Sequence, residues 1–189
     1  LALYTRRVAG TVGVLSILAA LKYTVGRKAF GYNGFGDLAV FLFFGIVAVA
    51  GGFYLNTKEL FPMIVLPASS IGFLSVGVLN LNNMRDIHND KASGKHTLAV
   101  RLGGRGARIY HFVLILLAFM LFTAFNVYYF DSYYQFIYLF TIPFFVSDIL
   151  KIDRTKEPSE LDPFLKKHSV NTLLFTLLSG LGIILNAYA

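Results

Sequence analysis

Residues 60–102 read LFPMIVLPASSIGFLSVGVLNLNNMRDIHNDKASGKHTLAVRL. The first 25 of these, residues 60–84, carry no charge, whereas residues 85–102 carry two Asp, two Arg, two Lys and two His. A helix that crosses a bilayer needs roughly 20 predominantly apolar residues, and the uncharged part is long enough. Its apolar residues do not alternate with polar ones, so it reads as a helix and not as a barrel strand. Only helices and closed barrels satisfy their backbone groups inside hydrocarbon. Charge packed against the end of such a helix is costly, which makes residues 82–102 the first place to look for function.

The rest of the chain repeats the pattern. Uncharged runs occupy residues 8–21, 38–55, 60–84, 109–130, 132–147 and 169–189. Mean hydropathy is +0.64 and 56% of residues are hydrophobic, more than a water-soluble core of 189 residues can hide. The expected fold class is all-α: a polytopic transmembrane helix bundle of about six spans, forming one domain over residues 1–189. The run at 132–147 is short for a span unless Asp148 lies at the interface. Pro62, Pro67 and Pro143 fall within or near runs, where neighbouring helices can absorb the kinks. Small residues such as Gly45, Gly51, Ser70, Gly72 and Gly77 suit close helix packing. The absence of cysteine excludes disulfides and thiolate chemistry. The net charge of +7 is better explained by a membrane-facing loop bias than by nucleic acid. Arg6-Arg7 before an apolar run imitates a signal peptide, but further spans follow and no A-x-A site separates them. The chain opens on Leu, expected to lie within a helix, and reads as a piece truncated at its N-terminus.

Fourteen of the 17 Lys and Arg residues lie in residues 22–36, 85–108 and 149–168, three segments that alternate onto one side. The positive-inside bias puts that side in the cytoplasm, so the expected location is the cytoplasmic membrane, with these loops rimming a pocket.

Asp86 and Asp90 are four residues apart, which on a helix places them on one face about 5–6 Å from each other. Like charges at that spacing call for a cation. Mg²⁺ fits, because it takes one or two carboxylates and completes its shell with water and phosphate oxygens. Asn82 and Asn83, about one turn earlier, can join as amide ligands or phosphate contacts. Lys95, Arg101, Arg105 and Arg108 follow, suited to a phosphate. The competing reading pairs Arg85 with Asp86 or a neighbouring carboxylate. His111 and His168 lack partners at metal-ligand spacing and are expected at helix interfaces. Gly103-Gly104-Arg105-Gly106 is expected to be a helix-entry loop, since no strand precedes it.

Taken together, N-N-x-R-D-x-x-x-D-x-x-x-G-K-x-T-L-A-V-R-L-G at 82–103 resembles the second aspartate motif of the intramembrane aromatic prenyltransferases, the UbiA superfamily. It is most similar to the branch acting on 1,4-dihydroxy-2-naphthoate in menaquinone synthesis. YTVG at 23–26, FGYNGFGD at 30–37 and LDPFLKK at 161–167 resemble other parts of that branch, in the same order. The resemblance implies a nine-span fold of which this chain holds the last six, with a first aspartate motif upstream. It also implies Mg²⁺-dependent transfer from polyprenyl diphosphate to 1,4-dihydroxy-2-naphthoate, with loss of carbon dioxide. Asp86 and Asp90 would then hold Mg²⁺, with Asn82, Asn83, Lys95 and Arg101 at the substrate. Tyr23 and Arg27 are similar to a Y-x-x-x-K pattern near the diphosphate, with Arg in place of Lys. Lys28 is an equal candidate. Tyr23 would stabilise the cation or orient the acceptor, as would Tyr32, unless both are interfacial anchors. Asp162 and Lys166 would contact the acceptor or orient the last loop. Transfer to 4-hydroxybenzoate, homogentisate or a heme is the nearest alternative. A transporter is a more distant one, and there the carboxylates would be expected mid-span.

Overall fold

The structure, a computed structural model, describes Gly10 and residues 34–186. The run at residues 8–21 and the candidates Tyr23, Arg27, Lys28 and Tyr32 lie outside the described residues. Among the described residues there is no strand, and five helices are long and apolar enough to cross a membrane. The all-α membrane bundle is therefore as expected. The spans are α1 (Gly36–Thr57), α2 (Pro62–Arg85), α4 (Leu98–Tyr128), α5 (Tyr133–Arg154) and α6 (Pro158–Asn186), with a short α3 (Ile87–Ala92) between α2 and α4.

α2 is the centre of the bundle and packs against α1, α4 and α6. Its small residues explain how. A Cβ on Gly45 of α1 would sit 2.6 Å from Gly72 Cα and 2.7 Å from the Ala68 carbonyl oxygen of α2. Lipid tails are as apolar as the side chains, so helices here associate by close packing and not by transfer from water. Gly45→Ala would force the backbones apart. It is expected to destabilise the protein by about 1–3 kcal/mol, seen as a lower unfolding midpoint in detergent.

The core is aromatic. Phe122, Tyr138, Phe145 and Phe175 are buried with Leu74, Ile115 and Ala118. Phe175 meets Phe119, Phe122 and Tyr138 edge to face, each pair of rings with centroids 5.2 Å apart. That arrangement places each ring's positive edge on a negative face. On the far side of α6, Leu173, Leu177, Leu181 and Ile184 recur every three or four residues and are exposed, as a lipid-facing stripe would be.

Two expectations are sharpened. The span expected to be short is 22 residues long, because its helix runs past Asp148 to Arg154. Asp148 is buried within that span, and Asn171 Nδ2 donates to it at 2.9 Å. His111 and His168 do lie in a helix interface. Their rings meet between α4 and α6, tilted by 54° with centroids 4.9 Å apart, and His168 Nε2 lies 3.1 Å from the Leu74 carbonyl oxygen.

The helix directions bring three connections to one end of the bundle. Gly34, with φ +80, leads into α1; α3 joins α2 to α4; and residues 155–157 join α5 to α6. At the other end, Phe61 packs against Phe125 and Tyr129, and Asn186 donates to Asp131.

Candidate functional site

The end of α2 carries the candidate site. The helix stops at Arg85, Asp86 lies in the break (φ −93, ψ 8), and α3 restarts at Ile87. The expected single helical face is therefore interrupted. Its spacing survives, because the Asp90 amide still donates to the Asp86 carbonyl at 2.8 Å. Each carboxylate has its own cation. Arg85 grips Asp86 with two parallel bonds, Nε to Oδ1 and Nη2 to Oδ2, both 2.9 Å. Lys95 Nζ donates to Asp90 Oδ1 at 2.9 Å. The alternative pairing of Arg85 is thus what the protein adopts. Such fork contacts are short, directional and charge-assisted. The Arg85 guanidinium holds the Asp86 carboxyl below the usual carboxylate range, against a burial effect that would raise it, and Lys95 adds to the lowering.

Asn82 accepts from Arg85 Nη2 at 2.8 Å, and Asn83 and Asp90 are buried. The start of α6 closes over the same spot: Arg85 Nη1 donates to Asp162 Oδ1 at 2.7 Å. The first connection closes from the other side. A Cβ on Gly34 would meet the His96 carbonyl oxygen at 2.9 Å and the Arg101 guanidinium carbon at 3.2 Å. Any side chain there would collide as well as strain a positive φ. Arg101 itself is exposed.

The other basic residues divide. Arg108 turns from the site and caps α5, donating to the Ile152 and Thr155 carbonyl oxygens at 3.1 and 2.6 Å. This satisfies carbonyls that a helix end leaves without partners. Arg105 is exposed on α4. Gly103 (φ 69, ψ 169) breaks α4 after its first turn, so residues 103–106 do form a helix entry. Thr97 caps that first turn, its side chain accepting from the Val100 amide.

A cavity of about 430 Å³ lies beside this polar end, within the membrane span. It is lined by apolar Val40, Phe44, Val78, Leu79 and Leu165, with Ser75, Asn82, Ser169 and Thr172 as its polar points. Asn82 belongs to both the charged cluster and the cavity. Ser75, Ser169 and Thr172 were not among the expected site residues. The available signal was their helical spacing: 75, 78, 79 and 82 on α2, and 165, 169 and 172 on α6.

Among the described residues no three His, Cys, Asp or Glu side chains converge on one point. The candidate donors, the Asp86 and Asp90 carboxylates and the Asn82 and Asn83 amides, offer hard oxygen. It suits Mg²⁺, which needs only one or two carboxylates when phosphate oxygens supply the rest.

Three named relatives can be compared with the chain. The chain is 40% identical to the 1,4-dihydroxy-2-naphthoate octaprenyltransferase of Haemophilus influenzae over 92% of its own length and 56% of that protein's. It is 40% identical to the protein of the same name from Escherichia coli, over 94% of the chain and 58% of that protein. To the Mycobacterium leprae protein of that name it is 47% identical over 55% of the chain and 36% of that protein. The chain thus spans just over half the length of the first two. No solved structure matches it. The UbiA prenyltransferase family matches residues 1–171, and the chain is an integral membrane protein belonging to that family.

Proposed function

We propose that residues 1–189 are part of one transmembrane domain that transfers a polyprenyl group from polyprenyl diphosphate to 1,4-dihydroxy-2-naphthoate. The observation that carries this reading is the juxtaposition at Asn82. A cluster rich in hard oxygen ligands and basic side chains abuts an apolar cavity, which matches an amphiphile with a diphosphate head and a hydrocarbon tail. The names of the relatives at 40% identity support the acceptor.

Asp86 and Asp90, with Asn82 and Asn83, would hold Mg²⁺. Bound there, the ion would spread the charge of the departing diphosphate and so favour breaking of the allylic C–O bond. Lys95 and Arg101 supply positive charge on the diphosphate side of the cluster. The bonding pair leaves with the diphosphate. The electron-rich ring then attacks the allylic carbon, and the carboxyl group leaves as carbon dioxide, returning its electron pair to the ring. The product is a prenylated naphthoquinol, the reduced form of a demethylmenaquinone. Tyr23, Arg27, Lys28 and Tyr32 are assigned to the same end on sequence grounds, Tyr23 at the reacting carbon and the others at the substrates. The apolar walls exclude water, which would otherwise quench an allylic cation. The basic connections face the cytoplasm in this reading, and the bilayer is the cytoplasmic membrane.

The test uses membranes containing the full-length protein, polyprenyl diphosphate and 1,4-dihydroxy-2-naphthoate carrying a labelled carboxyl group. Label is expected to leave as carbon dioxide in step with prenylated product, and chelation of Mg²⁺ should stop both. Preferential prenylation of 4-hydroxybenzoate would refute the acceptor, and turnover indifferent to chelation would refute the metal.

A further inference from the structure

One guanidinium occupies the centre of the site. Arg85 makes four hydrogen bonds at once: two to Asp86 at 2.9 Å, one to Asn82 at 2.8 Å and one to Asp162 at 2.7 Å. Asp86 and Asn82 are on the Mg²⁺-facing end of α2 in the reading above, whereas Asp162 opens the helical part of α6, 77 residues further on. The Asp86 carboxylate has one oxygen on each tooth of the fork, so the edge that would ligate a cation is already covered. Asp162 is the most exposed of these partners, with its side chain 67% accessible. A divalent cation cannot share the Asp86 edge with a guanidinium at 2.9 Å without like-charge repulsion in a partly buried place.

We propose that Arg85 is a positioning residue that acts as a placeholder. Its fork holds Asp86 and Asn82 in their ligating rotamers until a divalent cation arrives. The cation displaces the fork, and Asp162 near the start of α6, already bonded to Nη1, retains the released guanidinium. The inference rests on the Mg²⁺ role of Asp86 given above. It explains why a cationic residue immediately precedes a cation ligand, and why the start of α6 is tied to α2 through that residue and through no direct bond to Asp86. Both anchors matter: the fork to Asp86 opposes cation entry, and the bond to Asp162 favours it by giving the guanidinium somewhere to go.

The experiment reads cation affinity directly. Full-length protein in lipid nanodiscs is titrated with Mn²⁺ alone, and free Mn²⁺ is followed by its paramagnetic resonance signal. Arg85→Lys keeps the charge but cannot form the fork, so Mn²⁺ is expected to bind about three- to tenfold more tightly. Asp162→Asn keeps the fork but removes the receiving anchor, so Mn²⁺ is expected to bind about threefold more weakly. Simple charge repulsion predicts no change in Arg85→Lys, and a merely structural role lowers the yield of folded protein without moving either affinity. Shifts in the same direction, or none, overturn the placeholder. Prenyl transfer is measured alongside on the wild type. Opposite Mn²⁺ shifts in a protein that transfers no prenyl group would leave the placeholder standing and remove the proposed reaction. Normal transfer without the shifts would remove the placeholder alone, and a wild type that binds no Mn²⁺ would remove the metal assignment and the placeholder together.

Discussion

Asp86→Ala and Asp90→Ala, each in the full-length protein, are expected to lower Mg²⁺-dependent prenyl transfer by about a hundredfold or more, while membrane insertion is retained. The scale is that of losing one preorganised group aimed at developing charge. Here that group would hold the ion that neutralises the diphosphate. The two variants differ in what they leave behind. Asp86→Ala strips Arg85 of two bonds, leaving its guanidinium to Asn82 and Asp162 beside the site. Asp90→Ala removes the buried carboxylate that Lys95 Nζ bonds at 2.9 Å, so this variant should also lose some stability. Insertion is insensitive to both, because neither residue lies within an apolar run. Turnover near the wild-type rate in either variant, in a membrane assay with saturating Mg²⁺, would dismiss the site assignment.

Val78→Trp should lower kcat/KM for a long polyprenyl donor by about tenfold to a hundredfold and leave Mn²⁺ affinity unchanged. Val78 lines the cavity one turn of α2 from Asn82. The donor is already dissolved in lipid, so filling the cavity forfeits little hydrophobic transfer energy. The loss comes from alignment. A tail that cannot seat pulls the allylic carbon from its place, and misplacement by about 1 Å can cost a hundredfold. A donor of one or two isoprene units needs less of the cavity and should be affected less. Equal losses for short and long donors, or none for either, would show that the tail takes another route.

Much of this was legible from the residues, because a bilayer imposes strong rules. The run at residues 60–84 had to be a spanning helix: nothing else satisfies that many apolar residues and their backbone in hydrocarbon. The packing role of Gly45 and Gly72 and the helix entry at Gly103 were legible for equally local reasons. Helix ends were less so. α4 begins at Leu98, well before the uncharged run at residue 109, because a helix can continue into water with Arg101, Arg105 and Arg108 on it. The same holds for α5, whose helix passes through a buried Asp148 that composition alone marked as a boundary. Asn171, on another helix, makes that burial tolerable by donating a hydrogen bond.

By itself the sequence determined that this is a membrane bundle of helices and that charged residues gather after α2. Both follow from hydropathy, which every residue carries regardless of its neighbours. Tertiary structure alone decided the partners. Arg85 was near Asp86 in any conformation, but only the return of α6 brought Asp162 within 2.7 Å of it. Arg108 stood among the phosphate candidates until the end of α5 claimed its guanidinium. Ser75, Ser169 and Thr172 met in one cavity only when α2 and α6 packed. A charged side chain reaches only a few ångströms, so its role depends on which distant segment the fold places within that reach.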